Sequence, residues 1–199
     1  MRNGLLFTFL LLALAGCMSE PKFSRTPEIS NIQPNLLPFN KNGPADTIQL
    51  EFGYKDGDGD LGMDDGDRTG TFARYINDDS SVINLFNNNL FVRFYAQNES
   101  GKWDSLGSVF NTVDPNNPIM TARPYETTFP RLIVEEGEPI EGEVNYFITG
   151  SFYLARFGGV IIPGYPQLVK GSKWYVKVQI ADRKKNLSNV LYSSIQTVP

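Results

Sequence analysis

The sequence predicts an all-β fold, an antiparallel β-sandwich of seven to nine short strands with long loop elaborations. Three observations lead there. Four segments alternate apolar and polar residues with period two, the mark of a strand buried on one face. Thirteen prolines and eighteen glycines punctuate the intervals, so turn signals recur between those segments. Beyond the N-terminal apolar run, no window of a dozen residues carries a 3.6-residue apolar stripe, so amphipathic helices are not the building block. At 199 residues the chain is long enough for one ordinary domain with a substantial core.

The N-terminus stands apart from that domain. Met1-Arg2-Asn3 is a short positive start, and Leu5 to Ala15 is apolar except for Thr8. Such a run falls well short of the roughly 20 residues that cross a bilayer, so residues 1–16 read as a signal peptide. Leu14-Ala15-Gly16-Cys17 resembles the lipobox of bacterial lipoproteins. The resemblance implies diacylation of the Cys17 thiol, cleavage before it and acylation of the new amine. Two or more acyl chains, at about 0.8 kcal/mol per buried CH₂, anchor a protein stably where one does not. Cys17 is also the only cysteine, which rules out an internal disulfide. Residues 17–27, with Pro21 and Pro27, read as the lipidated cysteine and its tether, and 28–199 as the sandwich.

Within 28–199 the strands follow in order. Thr47 to Tyr54 places Ile48, Leu50, Phe52 and Tyr54 on one face. Leu90 to Ala96 places Leu90, Val92, Phe94 and Ala96 together. Val144, Tyr146 and Ile148 mark a third strand, and Trp174, Val176, Val178 and Ile180 a fourth. Val190 to Val198 is a final strand with weaker alternation. Shorter candidates are Glu28 to Ile32, Val109 to Val113, Arg131 to Val134 and Ser151 to Phe157. Ser80 to Phe86 is at most a short helix. Gly62 to Asn89 and Asp114 to Phe129 exceed hairpin loops and are expected to elaborate the sandwich.

One loop carries chemistry. Lys55-Asp56-Gly57-Asp58-Gly59-Asp60-Leu61-Gly62 follows directly on a strand, and six aspartates lie between Asp56 and Asp67. Unit charges ~6 Å apart repel by about 0.7 kcal/mol even in water, and by more near a protein surface. Oxygen donors on a flexible loop favour Ca²⁺, which takes 6–8 oxygens, over Zn²⁺. Gly57 and Gly59 let alternate side chains converge. An EF-hand register fits Asp56, Asp58, Asp60, Asp64 and Asp67, but Leu61 occupies the glycine position and the flanks are not helical. If Thr47 to Tyr54 and Lys173 to Ala181 are strands B and F of an immunoglobulin-like sandwich, the acidic loop is B–C and Asp182 lies in F–G, at the same end. The predicted structural Ca²⁺ site is therefore Asp56, Asp58, Asp60 and Asp182, with Asn186 as a further donor. Asp64, Asp65 and Asp67 are left to a second site or none. The alternative is a solvated acidic turn in which Asp182 caps its own loop.

Composition also excludes chemistry. There is no histidine, which removes Ser-His-Asp and Cys-His nucleophiles and His-ligated zinc. Glu135, Glu136, Glu138, Glu141 and Glu143 could supply a glycosidase pair but read more simply as a polar turn, so no enzyme is expected. Loss of Arg2 takes 18 basic residues to 17 against 22 acidic, and the formal charge from −4 to −5, which argues against nucleic acid. Trp174 belongs in the core. Trp103 sits in the turn Ser100-Gly101-Lys102-Trp103-Asp104 and is a candidate partner or ligand contact. Ile161, Ile162 and Tyr165, in the apolar connection Phe157 to Pro166, either plug the sandwich end or dock an envelope protein.

Together, the lipobox, the strand running into Tyr54-Lys55-Asp56-Gly57-Asp58-Gly59-Asp60-Leu61-Gly62, and Ile180-Ala181-Asp182-Arg183 through Ser188-Asn189 resemble small outer-membrane lipoproteins of Bacteroidetes-type bacteria. That likeness implies one immunoglobulin-like domain, lipid-anchored at the outer membrane on either its periplasmic or its surface face. The functional expectation is a non-catalytic accessory subunit of an outer-membrane protein complex. A glycan-binding lipoprotein of a surface uptake system is the alternative.

Overall fold

A computed structural model describes residues 23–38, 45–76, 79–106, 108–110, 119–121, 125–132, 137–149, 156–157, 160–161 and 171–198. Cys17, Ile162 and Tyr165 lie outside the described residues. The strands are, in chain order, β1 (Glu28–Pro38), β2 (Ala45–Asp56), β3 (Tyr75–Ile76), β4 (Asp79–Ile83), β5 (Leu90–Gln97), β6 (Trp103–Leu106), β7 (Ser108–Phe110), β8 (Ile119–Thr121), β9 (Tyr125–Thr127), β10 (Ile140–Thr149), β11 (Arg156–Phe157), β12 (Val160–Ile161), β13 (Lys173–Ile180), β14 (Leu191–Tyr192) and β15 (Gln196–Thr197).

Two antiparallel sheets form the sandwich. The smaller has the order β1-β2-β10; the larger has β14-β13-β5-β6, with β15 also on β13 and β9 also on β5. This is the A-B-E against G-F-C-C′ order of an immunoglobulin-like sandwich. Period-two alternation sets the faces. Ile48, Leu50 and Phe52 of β2 meet Val92 and Phe94 of β5 and Trp174, Val176, Val178 and Ile180 of β13, all buried. Each such side chain contributes roughly 1.5–3 kcal/mol of burial. Trp174 is fully enclosed and packs against Phe94 with ring centroids 6.1 Å apart.

Several expectations need correction. Val190 to Val198 is not one strand but two short pieces. Ser193 breaks it and Ser188 stands just before it; both hydroxyls turn inward and stand in for a backbone partner. Ile180 N–H donates to Ser188 Oγ at 3.0 Å, and Val176 N–H donates to Ser193 Oγ at 3.0 Å. Ser80 to Phe86 is not a helix: β4 runs into a single 3₁₀ turn at Leu85–Asn87, whose entry is capped by Asn84. Arg131 and Leu132 are not in a strand, and the rest of that candidate lies outside the described residues; Pro130 makes an isolated parallel bridge to Met63. Glu28 to Ile32 extends much further as β1, across a register shift between Ser30 and Gln33 where Asn31 takes φ +57°.

Candidate metal centre

β2 delivers Asp56 to one end of the smaller sheet, and the chain turns at once. Gly59 at φ +63° and Gly62 at φ +92° occupy the left-handed region. At Gly62 a side chain would also collide with the Pro130 carbonyl. After this reversal Leu61 forms an isolated antiparallel bridge with Asp182, just beyond β13 of the other sheet. Arg183 N–H donates to the Asp60 carbonyl at 3.1 Å, and its guanidinium donates to the Gly62 carbonyl at 3.3 Å. The two loops thus emerge from the same end and are stitched through backbone before any side chain is considered.

Within that stitch, Asp56, Asp60 and Asp182 each place a carboxylate oxygen within 4.8 Å of the others. All three are sealed from solvent, at 0%, 1% and 1% exposure. Asp56 Oδ2 accepts the Leu61 N–H at 3.2 Å. Asp182 is aimed by Asn186, whose backbone N–H donates to Oδ1 at 2.8 Å and whose amide donates to Oδ2 at 2.7 Å. Asn186 therefore orients the Asp182 carboxylate by donating to both of its oxygens. Asp56 Oδ1, Asp58 Oδ1 and both Asp60 oxygens are buried with no hydrogen-bond partner. Buried acceptors without donors cost about 1–3 kcal/mol each, more when charged.

Asp58 stands at the rim, not in the trio. Its Oδ2 accepts from Lys184 Nζ at 2.6 Å. The same ammonium lies 3.0 Å from Asp60 Oδ2, an ionic contact outside hydrogen-bonding angles. Lys184 was not foreseen, although the run Arg183-Lys184-Lys185 opposite an acidic loop was its signal. Its side chain is half-exposed, so it sits over the cluster, not inside it. These two carboxylates push its pKa further above the ordinary lysine value.

The electrostatics are those of an under-neutralised cluster. Two carboxylates ~4.8 Å apart repel by about 3 kcal/mol at an effective dielectric constant of 20, so three ionised ones store on the order of 10 kcal/mol. Burial, and then the neighbouring Asp60, Asp58 and Asp182, raise the Asp56 carboxyl from 3.8 to about 7. Burial also raises Asp60, with Lys184 opposing. One rim ammonium does not balance four carboxylates. A divalent cation among them would bring the sum from −3 to −1, and every donor in the trio is a hard oxygen, which fits Ca²⁺.

The remaining acids of the loop are otherwise engaged. Asp64 and Asp67 cap a 3₁₀ turn reciprocally at 3.0 and 3.1 Å. Arg131 Nη1 reaches them at 3.6 and 3.2 Å. Asp65 points into solvent. Among the described residues, Asp56, Asp60 and Asp182 alone form a group of three metal-ligating side chains. Trp103 lies in β6, partly buried and edge-on to Tyr175, and Ile161 ends β12. No protein-family model, curated protein or solved structure matches the chain.

Proposed function

We propose that this chain is a non-catalytic, lipid-anchored cell-envelope protein whose sandwich is completed by a structural calcium ion. It would serve as an accessory subunit of an outer-membrane protein complex. The observation that carries the calcium reading is the buried trio, with Asp56 Oδ1 and Asp60 Oδ1 lacking any partner. Asp56, Asp60 and Asp182 would hold the ion, and it would supply charge neutralisation and a crosslink between loops of opposite sheets. With no disulfide to call on, that crosslink ties the end of β2 to the end of β13. The absence of histidine and the lipobox-like setting of the sole cysteine, Cys17, support a binding role over catalysis.

Native mass spectrometry of the purified protein tests the ion. One calcium per chain, lost on Asp60→Asn, is expected; metal-free protein under calcium-saturating conditions contradicts the reading. A gentle membrane pull-down of the acylated protein tests the assembly. Stoichiometric recovery of an integral β-barrel partner is expected, and recovery of the chain alone sinks the subunit assignment.

A further inference from the structure

The outward face of the larger sheet has a composition that its own fold does not use. Alternation points Phe91, Arg93 and Tyr95 of β5 and Lys173, Tyr175 and Lys177 of β13 away from the core. Register sets Arg93 directly opposite Lys177, and Tyr95 opposite Tyr175. Like charges directly opposed across a ladder are unfavourable, and no ion pair reaches Arg93, Lys173 or Lys177 among the described residues. Around Tyr175 stand Trp103 at 4.9 Å, Tyr95 at 4.8 Å and Tyr192 at 6.2 Å between ring centroids. Beside the cation pair, Leu85, Phe91 and Leu187 line a shallow groove of about 150 Å³. Glu126 is in register with Phe91. The opposite outer face is acidic: β2 carries Glu51, and Glu28 on β1 and Glu141 and Glu143 on β10 flank it, with Lys55 among them.

We infer that this aromatic and cationic face docks on the headgroup layer of an anionic bilayer. Trp and Tyr, apolar bodies with polar tips, settle at the membrane–water interface. Lys and Arg gain about 1 kcal/mol each near an anionic leaflet. An apolar groove beside a cation pair presents the same order of chemistry as a phospholipid, methylenes next to phosphate. Tyr95 and Tyr175 lie parallel within 12°, so their ring faces cover each other and their rims are offered; a sugar needs open ring faces, whereas a headgroup layer does not. The glutamates on the far side orient the domain, since the same surface charge repels them. The face does not rest on the lipid-anchor reading, since Phe23, six residues after Cys17, lies beside Lys55 on the acidic side.

The test uses the mature protein in phosphatidylethanolamine–phosphatidylglycerol vesicles whose acyl chains are brominated. Trp103 emission is expected to be quenched, while the fully buried Trp174 is not. Quenching should vanish in Trp103→Phe and fall strongly in R93Q/K173Q/K177Q. Three lost cations weaken partitioning on the order of a hundredfold, and an unchanged melting temperature certifies the fold of that variant. Unquenched Trp103 in a chain whose Cys17 acylation is confirmed by mass spectrometry overturns the docking face and leaves the anchor intact. Should Cys17 prove unacylated, the anchor reading fails, and flotation of the same chain with these vesicles, lost in the triple variant, still supports the face; no flotation overturns it. A dimer in sedimentation equilibrium that the triple variant dissolves assigns the face to a second copy and also overturns the proposal.

Discussion

Asp60 has both carboxylate oxygens buried without a hydrogen-bond partner and only the rim ammonium of Lys184 near Oδ2, so its charge is incompletely offset until a second cation shares it. Asp60→Asn therefore has opposite consequences in two conditions. In chelator the variant should match or exceed the parent in melting temperature, because a repulsive charge has gone. In calcium it should lose the stabilisation the parent gains. Thermal melts in both media check this, and a variant destabilised equally in both removes the ion from the explanation. Asp56 supplies the pH dependence. Its carboxyl is raised from 3.8 to about 7, so between those values the folded, metal-free protein holds more protons than the unfolded chain. Its contribution to stability is complete below pH ~4 and is lost as pH rises towards 7. Calcium competes with that proton, so affinity should climb over the same window, with proton release measurable by calorimetry in buffers of different ionisation enthalpy. Gly62 needs no ion to matter: φ +92° and the Pro130 carbonyl predict that Gly62→Ala costs more than about 1 kcal/mol in a denaturant melt.

Between elements, the two sheets are joined at their edges by side chains acting as backbone. Asn189 accepts from Ile29 N–H at 2.8 Å and donates to the Ile29 carbonyl at 2.9 Å. This pins the start of β1 to the segment before β14. Asn189→Ala should cost about 1–3 kcal/mol in urea unfolding, independent of calcium; a calcium-dependent loss would mean the two ends are coupled. Asn89 does similar work, accepting from Phe129 N–H at 2.6 Å. These contacts were not legible in the sequence, because an asparagine that replaces a strand partner looks like a turn former. The central strands were legible for the opposite reason. β2, β5 and β13 each bury one face and expose the other, so period two survives in the residues themselves. The last strands blurred that signal once Ser188 and Ser193 turned polar side chains inward. In the acidic loop, the placing of Asp56 and Asp182 at one pole followed from strand order alone. The division between a buried trio and a rim Asp58 did not, because it depends on where Lys184 lands. That lysine and its neighbour diverge: Lys185 reaches the Thr71 carbonyl at 3.2 Å and lies over Phe72 and Phe86, tying the long loop after Gly62 to the same pole.

At the scale of the whole molecule, a core that threads both sheets is complemented at one end by an electrostatic defect. Packing of Trp174, Phe52 and Phe94 holds the layers together, and Trp174→Ala should cost roughly 3–5 kcal/mol whether or not calcium is present. The acidic pole is different, since on the calcium proposal its stability is conditional on a cation. A ligand at a hundred times its dissociation constant adds about 2.7 kcal/mol, which for a domain of this size is about 5–10 °C. The most direct test is the melting temperature of the parent protein at pH 7, measured in excess chelator and then in excess calcium. A rise of that size, absent in Asp60→Asn, is the predicted result. Superimposable melts of the parent in the two media would contradict the claim that an ion fastens β2 to β13.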